Sequence, residues 1–367
     1  MTRALPLLLL ALSGCELIDS LDSTSAGDWS LSTHPCLANR TDTLWMDDAD
    51  TAFVACGSGT VGYGAFVTTN GGSSWELVDP ALEDVRINTI FRGEDGLLYL
   101  GGTGSSGRRV FTYDGSTLAT FYAAPTSGAQ TWQTFQVGNF RIDADGRAVS
   151  ESLTGSDVIY WSSDGAEPSS GYGWWGDAIP AGAQILDLEL HDGRFYGSGS
   201  TISQPPYFYY EPSGGMGNAF AFEVVDLAAE TDTIIRGEAW GLAMGEGGEA
   251  LVAGVDEDAD VAVLWFSDDP TTSGTWNLRS YNEITAPTRF YGACRSGDVL
   301  VAVGDYSQRT EAFMAVSTDG GAQWTTLDPP GPNDQPAGSL STCQIVDDTL
   351  FIVGADGYFA AIDTADL

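Results

Sequence analysis

A unit of roughly 40–50 residues that recurs about seven times predicts an all-β fold, a β-propeller of about seven four-stranded blades. Two further observations point the same way. The chain carries 46 glycines among 367 residues, and almost none of it shows the helical period of an amphipathic segment. Short apolar runs separated by Asp, Gly and Ser clusters read instead as strands joined by tight turns.

Each unit opens with an apolar strand, turns at Asp/Gly, returns along a second apolar strand ending in Gly, and closes with a third strand and a turn of fixed composition. Unit one runs from Thr43-Leu44-Trp45-Met46 through Ala52-Phe53-Val54-Ala55 to Trp75. Unit two opens at Asn88-Thr89-Ile90-Phe91 and reaches a weak turn at Asp114-Gly115. Unit three begins near Val137 and carries Ser162, Asp164 and, after an insertion, Trp174. Unit four uses Ile185 to Leu190 and Arg194-Phe195-Tyr196, with a decayed turn after Tyr209. Unit five starts at Trp240-Gly241-Leu242-Ala243 and carries Ser267, Asp269 and Trp276, and unit six holds Val299 to Val303. Unit seven starts at Ser341-Thr342-Cys343 and stops at Ile362-Asp363, before the second half of its turn. That half stands at the other end of the chain, in Gly27-Asp28-Trp29-Ser30-Leu31. The N-terminal strand is therefore expected to complete the last blade and remove its exposed edge. A solenoid of stacked units is the alternative, but solenoids end in atypical caps, not in two halves of one repeat.

The closing turn is clearest in unit six, as Ser317-Thr318-Asp319-Gly320-Gly321-Ala322-Gln323-Trp324, and again in unit one, where Thr68, Asn70, Gly72 and Trp75 hold the same places. Its hydroxyl and carboxylate mimic a backbone turn, its glycines supply positive φ, and its Trp brings a large apolar surface. These residues resemble the Asp-box (BNR) repeat, S-x-D-x-G-x-x-W, of sialidases, sortilin-like receptors and the photosystem II assembly factor family. The resemblance implies a scaffold role: the box sits between the third and fourth strands of a blade and its Trp packs between blades. Function is then expected on the opposite face.

The N-terminus reads as an export signal. Met1-Thr2-Arg3 is followed by the apolar run Leu5 to Leu12 and by Leu12-Ser13-Gly14-Cys15, which looks like a bacterial lipobox with Cys15 as the acylated residue. The expected layout is a signal peptide over 1–14, a lipidated tether over 15–26 and the propeller over 27–367. A lipid anchor in the bacterial cell envelope, not a spanning helix, follows. The formal charge is −37, and every basic residue is Arg. Such a surface repels nucleic acid and suits solubility in a salty exterior. No cofactor is expected. The loop Asp256-Glu257-Asp258-Ala259-Asp260 offers oxygen ligands for calcium but has neither the glycine nor the terminal Glu of an EF-hand. With two His, His34 and His191, and no Cys-x-x-Cys, the chain shows no zinc site.

With Cys15 assigned to the anchor, Cys36, Cys56, Cys294 and Cys343 remain, an even set in an exported chain. Cys294 and Cys343 fall on first strands of consecutive units, and Cys36 leads into the unit whose second strand ends at Cys56. Those proximities suggest the pairs 36–56 and 294–343, with reduced buried thiols as the alternative.

Aligning the units by their first strand reveals Arg40-Thr-Asp42, Arg86-Ile-Asn88, Arg236-Gly-Glu238 and Arg289-Phe-Tyr291. Arg40, Arg86, Arg236 and Arg289 would ring the channel mouth and receive the carboxylate of an anionic ligand or a partner protein. The photosystem II assembly factor family is similar in placing arginines there. Pairing of each Arg with an acidic residue of the next blade is the competing reading. The resemblance to sialidases raises a second function, glycoside hydrolysis, with Tyr291 as nucleophile, Glu238 as its activator and Asp42 as acid/base. The Arg-Ile-Pro motif of those enzymes is missing, Arg141-Ile142-Asp143 being the nearest approach. A binding module is therefore the primary reading.

Overall fold

The computed structural model describes residues 28–36, 41–58, 61–104, 107–123, 137–152, 158–162, 172–175, 184–200, 205–212, 222–233, 235–281, 288–306, 311–331 and 337–367. The expected signal, tether and Cys15 lie outside these residues, as do Arg40 and Asp164, and the side chains of Asp42, Cys56, Ser162 and Trp174 are likewise outside.

Among the described residues the strands form seven antiparallel four-stranded sheets, the blades of a β-propeller. Blade one comprises Thr41–Met46, Ala52–Ser58, Val61–Thr68 and Glu76–Leu77. Blade two comprises Arg86–Arg92, Leu98–Gly104, Gly107–Tyr113 and Leu118–Ala123. Blade three is Val137–Ile142, Arg147–Ser152, Val158–Ser162 and Tyr172–Trp175, and blade four is Gln184–His191, Arg194–Ser200, Tyr207–Tyr210 and Glu223–Asp226. Blade five has Gly237–Met244, Ala250–Asp256, Val261–Ser267 and Asn277–Ser280. Blade six has Thr288–Ser296, Val299–Tyr306, Glu311–Ser317 and Thr325–Leu327. Blade seven is Leu340–Val346, Thr349–Gly354 and Tyr358–Asp363, completed by Ser30–Thr33 from the N-terminus. In that blade Ser30 pairs with Ala361 and Thr33 with Tyr358. The first strand of each blade packs on that of the next, and the first strand of blade seven returns to that of blade one, so the ring is closed.

The repeated turns explain how blades adhere. In blade six the Ser317 hydroxyl donates to Asp319 Oδ1 at 2.8 Å and accepts from the Gly321 N–H at 2.9 Å. Gly321 has φ +93°, and a Cβ there would meet the Phe266 ring at 2.8 Å. Thr68 plays the same part in blade one, accepting from the Gly72 N–H at 3.0 Å and donating to Asn70 at 2.9 Å. In blade five the Ser267 hydroxyl accepts from the Asp269 N–H at 3.1 Å. Each turn's Trp lies against an aromatic residue from the third strand of the preceding blade: Trp75 on Phe359 at 5.3 Å, Trp276 on Phe208 at 5.1 Å and Trp324 on Phe266 at 5.9 Å between centroids. Trp29 joins the cluster that contains Met314 and Val316 of blade six, the corresponding place for blade seven.

Charges reinforce several of these joints. Arg92 of blade two forks onto Asp47 beside blade one, and Arg147 of blade three bridges Asp143 at 2.5 Å and the buried Glu211 of blade four at 2.6 Å. A disulfide, Cys294–Cys343, joins the first strands of blades six and seven, with 5.6 Å between Cα atoms. Cys36 is also disulfide-bonded. Among the described residues no helix is long and apolar enough to cross a membrane.

Candidate functional site

The first strands of the blades line a central cavity of about 430 Å³, and each of them is interrupted once. Pairing with the second strand skips Asp42 in blade one, Asn88 in blade two, Leu186 in blade four, Trp240 in blade five, Tyr291 in blade six and Ser341 in blade seven. In blade three the interruption covers Gly138 and Asn139. A bulge leaves its extra residue out of the ladder and re-aims its side chain. Asn88, Asn139, Leu186, Trp240, Tyr291 and Ser341 all line the cavity, and the antiparallel order of the blades puts them at the end opposite the repeated turns.

In blades two, four and five a glycine near the end of the second strand accompanies the bulge. A Cβ on Gly102 would lie 2.1 Å from the carbonyl oxygen of Arg86, one on Gly199 1.8 Å from that of Gln184, and one on Gly254 2.0 Å from that of Glu238. At these three positions the missing side chain leaves room for the close backbone approach. The walls then meet closely just below the ring, where a Cβ on Gly292 would stand 2.7 Å from Thr342 Cα.

This register sorts the arginines. Arg86 and Arg289 each stand two residues before a bulge, and Arg86 lines the cavity. In blade five the equivalent of Arg86 is Glu238, not Arg236, because the bulge falls at Trp240. Arg236 lies in the preceding connection and is exposed. Arg289 reaches Asp260, beside the third strand of blade five, at 3.1 Å. Two cavity arginines were missed as site residues, Arg141 and Arg295. Both sit further along their strands, where no repeated pattern marks them. Arg141 donates to Thr89 Oγ1 at 3.1 Å and lies over the Phe91 ring, and Arg295 approaches Glu249 at 3.9 Å.

Side chains also stitch neighbouring first strands together inside the cavity. Asn139 donates to the Leu186 carbonyl at 2.9 Å, and Gln344 accepts from the Met46 N–H at 2.8 Å. Asp187 accepts from the Leu242 N–H at 2.9 Å and Glu189 from the Met244 N–H at 3.1 Å. Burial raises both carboxyls. It pushes Glu189, with help from the Asp187 charge, up to about 7, and Arg141 opposes the rise in each.

The residues singled out for hydrolysis meet different partners. Tyr291 stacks on Trp240 with 4.7 Å between centroids and 11° between planes, and its hydroxyl donates to Asp305 at 3.4 Å. Glu238 is raised by burial and by Glu257, and lowered by a hydrogen bond from Trp240 and by Arg289. Among the described residues no group of three His, Cys, Asp or Glu side chains is placed to hold a metal ion.

No protein-family model matches the sequence, and no curated protein matches it. Solved structures do resemble it. A structure of YCF48 bound to D1 peptide shares 16% identity with a TM-score of 0.59, covering 91% of this chain and 96% of that one. YCF48 from Cyanidioschyzon merolae shares 12% identity, TM-score 0.56, over 92% and 99%. A streptogramin B lyase shares 9% identity, TM-score 0.61, over 93% and 98%. The likeness is one of fold. Proteins of this fold include a binder and a lyase, so function must be argued from the cavity.

Proposed function

We propose that this chain is a non-enzymatic binding module, exported and lipid-anchored at Cys15 in a bacterial cell envelope, that receives the carboxylate of a partner protein or anionic ligand at its channel mouth. The observation that carries the reading is electrostatic. Arg86, Arg141 and Arg295 line one cavity of a chain whose formal charge is −37. Guanidinium forks gathered in an acidic molecule suit recognition of a carboxylate more than general solubility. Binding of D1 peptide by YCF48 supports a peptide as the form of the ligand. The Asp-box resemblance of the repeated turns supports their assignment to scaffold, which leaves the bulge-bearing face for the partner.

The test uses fluorescein-labelled random hexapeptides, prepared as free acids and as C-terminal amides, with fluorescence anisotropy as the readout. The acids are expected to bind at least about tenfold more tightly, with Arg86→Gln removing the difference and added salt weakening it. Equal binding of acids and amides overturns the carboxylate assignment. Metabolic labelling with a radioactive fatty acid tests the anchor: Cys15→Ala should abolish incorporation, and unlabelled wild-type protein would remove the lipid from the proposal.

A further inference from the structure

We propose that the cavity selects a ligand with charges of both signs, a peptide C-terminus that carries Lys or Arg next to its terminal residue, with the cationic side chain seated at Trp240 and Tyr291. This rests on the carboxylate reading above and adds the chemistry of the neighbouring residue.

Two opposite stretches of the cavity wall differ in chemistry, with Asp187 and Glu189 of blade four and Arg295 of blade six also in the lining. Arg86 and Arg141 come from blades two and three, and Trp240 and Tyr291 from blades five and six. In the ring these two pairs of blades are separated by blade four on one side and by blades seven and one on the other. They face each other across the axis. The aromatic side also carries carboxylates, interleaved with Arg289 and Arg295. Glu238 is hydrogen-bonded to the Trp240 side chain, Asp305 accepts from the Tyr291 hydroxyl, and Asp260 stands beside Arg289 on the same rim.

Electron-rich rings next to carboxylates attract an ammonium or guanidinium group and repel a second anion. A ligand with only a carboxylate satisfies one wall. A ligand with a carboxylate and a nearby cation satisfies both, at a spacing set by about 3.3 Å per extended residue. A further polar group awaits a partner between these walls: Ser341, 4% exposed, lines the cavity, and its hydroxyl has no hydrogen-bond partner among the described residues.

Three fluorescein-labelled hexapeptides test this on the full chain by anisotropy: a free acid with Arg at the second-last position, the same acid with norleucine in its place, and the Arg peptide as its C-terminal amide. The Arg acid is expected to bind about tenfold more tightly than the norleucine acid. The isosteric change Glu238→Gln, and separately Trp240→Leu, should erase that advantage, with thermal unfolding midpoints showing that each variant is folded. Equal affinities for the Arg and norleucine acids, both above the amide, overturn the two-charge proposal and leave the carboxylate reading in place. An Arg advantage that survives both substitutions overturns the assignment to this wall. Equal binding of all three peptides overturns both readings.

Discussion

Gly304 lies so close beneath the carbonyl of Arg289 that a Cβ on it would stand 1.7 Å from that oxygen. Gly304 stands opposite Phe290, next to the bulge at Tyr291 in the first strand of blade six. Gly304→Ala must flatten the bulge or push the strand outward, and the cost is expected to be about 3 kcal/mol or more, at the upper end of overpacking. Urea unfolding measures it. A midpoint equal to wild type would show that the bulge does not depend on the missing side chain.

The Cys294–Cys343 bond spans 49 residues and ties blade six to the blade that the N-terminal strand completes. Closing a loop of that size restrains the unfolded chain by about 2–4 kcal/mol. The Cys294→Ser/Cys343→Ser variant should unfold at correspondingly lower denaturant, and reductant should no longer affect it through this bond. A double variant as stable as wild type would assign the bond no structural role.

His34 packs against Trp75 and is 1% exposed. Burial lowers it from 6.5 to about 4. Because the folded value lies below the unfolded one, its contribution is complete above pH 6.5 and is lost as pH falls toward 4. The loss amounts to roughly 3 kcal/mol. Its Nδ1 accepts the Cys36 N–H, so protonation also removes an acceptor at the joint of blades seven and one. Stability of wild type minus that of His34→Gln should shrink across this window, and a constant difference would contradict the buried, neutral imidazole.

Glu189 has the opposite sign. Its folded value is raised by burial to about 7, so it withholds stability as pH rises from the ordinary carboxyl range through 7. Glu189→Gln keeps an oxygen for the Met244 N–H and cannot ionise. The variant is expected to gain stability over wild type at pH 8 and to match it at pH 5. Equal gains at both pH values would mean that ionisation is not the cause.

The blade pattern is legible in the sequence because its signals are local. Ser317, Asp319, Gly321 and Trp324 lie within one turn and act on one another, so spacing alone displays them. The Cys294–Cys343 pair is legible because equivalent places on consecutive repeats are neighbours in a ring. The site is less so. Whether Arg236 or Glu238 matches Arg86 depends on which residue the second strand skips, and that register is set by backbone contacts across the sheet. Trp240 reads as an ordinary strand residue until the bulge turns it inward. Arg141 and Arg295 come together only through the curvature of the whole ring.

The seven bulges give the ring an unusual freedom. A bulged residue is skipped by the ladder of its own blade, so its side chain is not set by a cross-strand neighbour there. The scaffold is carried by the glycines, the turns and the interblade rings. What holds the bulged side chains is side-chain contact with neighbouring strands, as in the bond of Asn139 to the Leu186 carbonyl and the stacking of Tyr291 on Trp240, which makes the channel mouth a surface whose letters can be rewritten in neighbouring sets on a fixed frame.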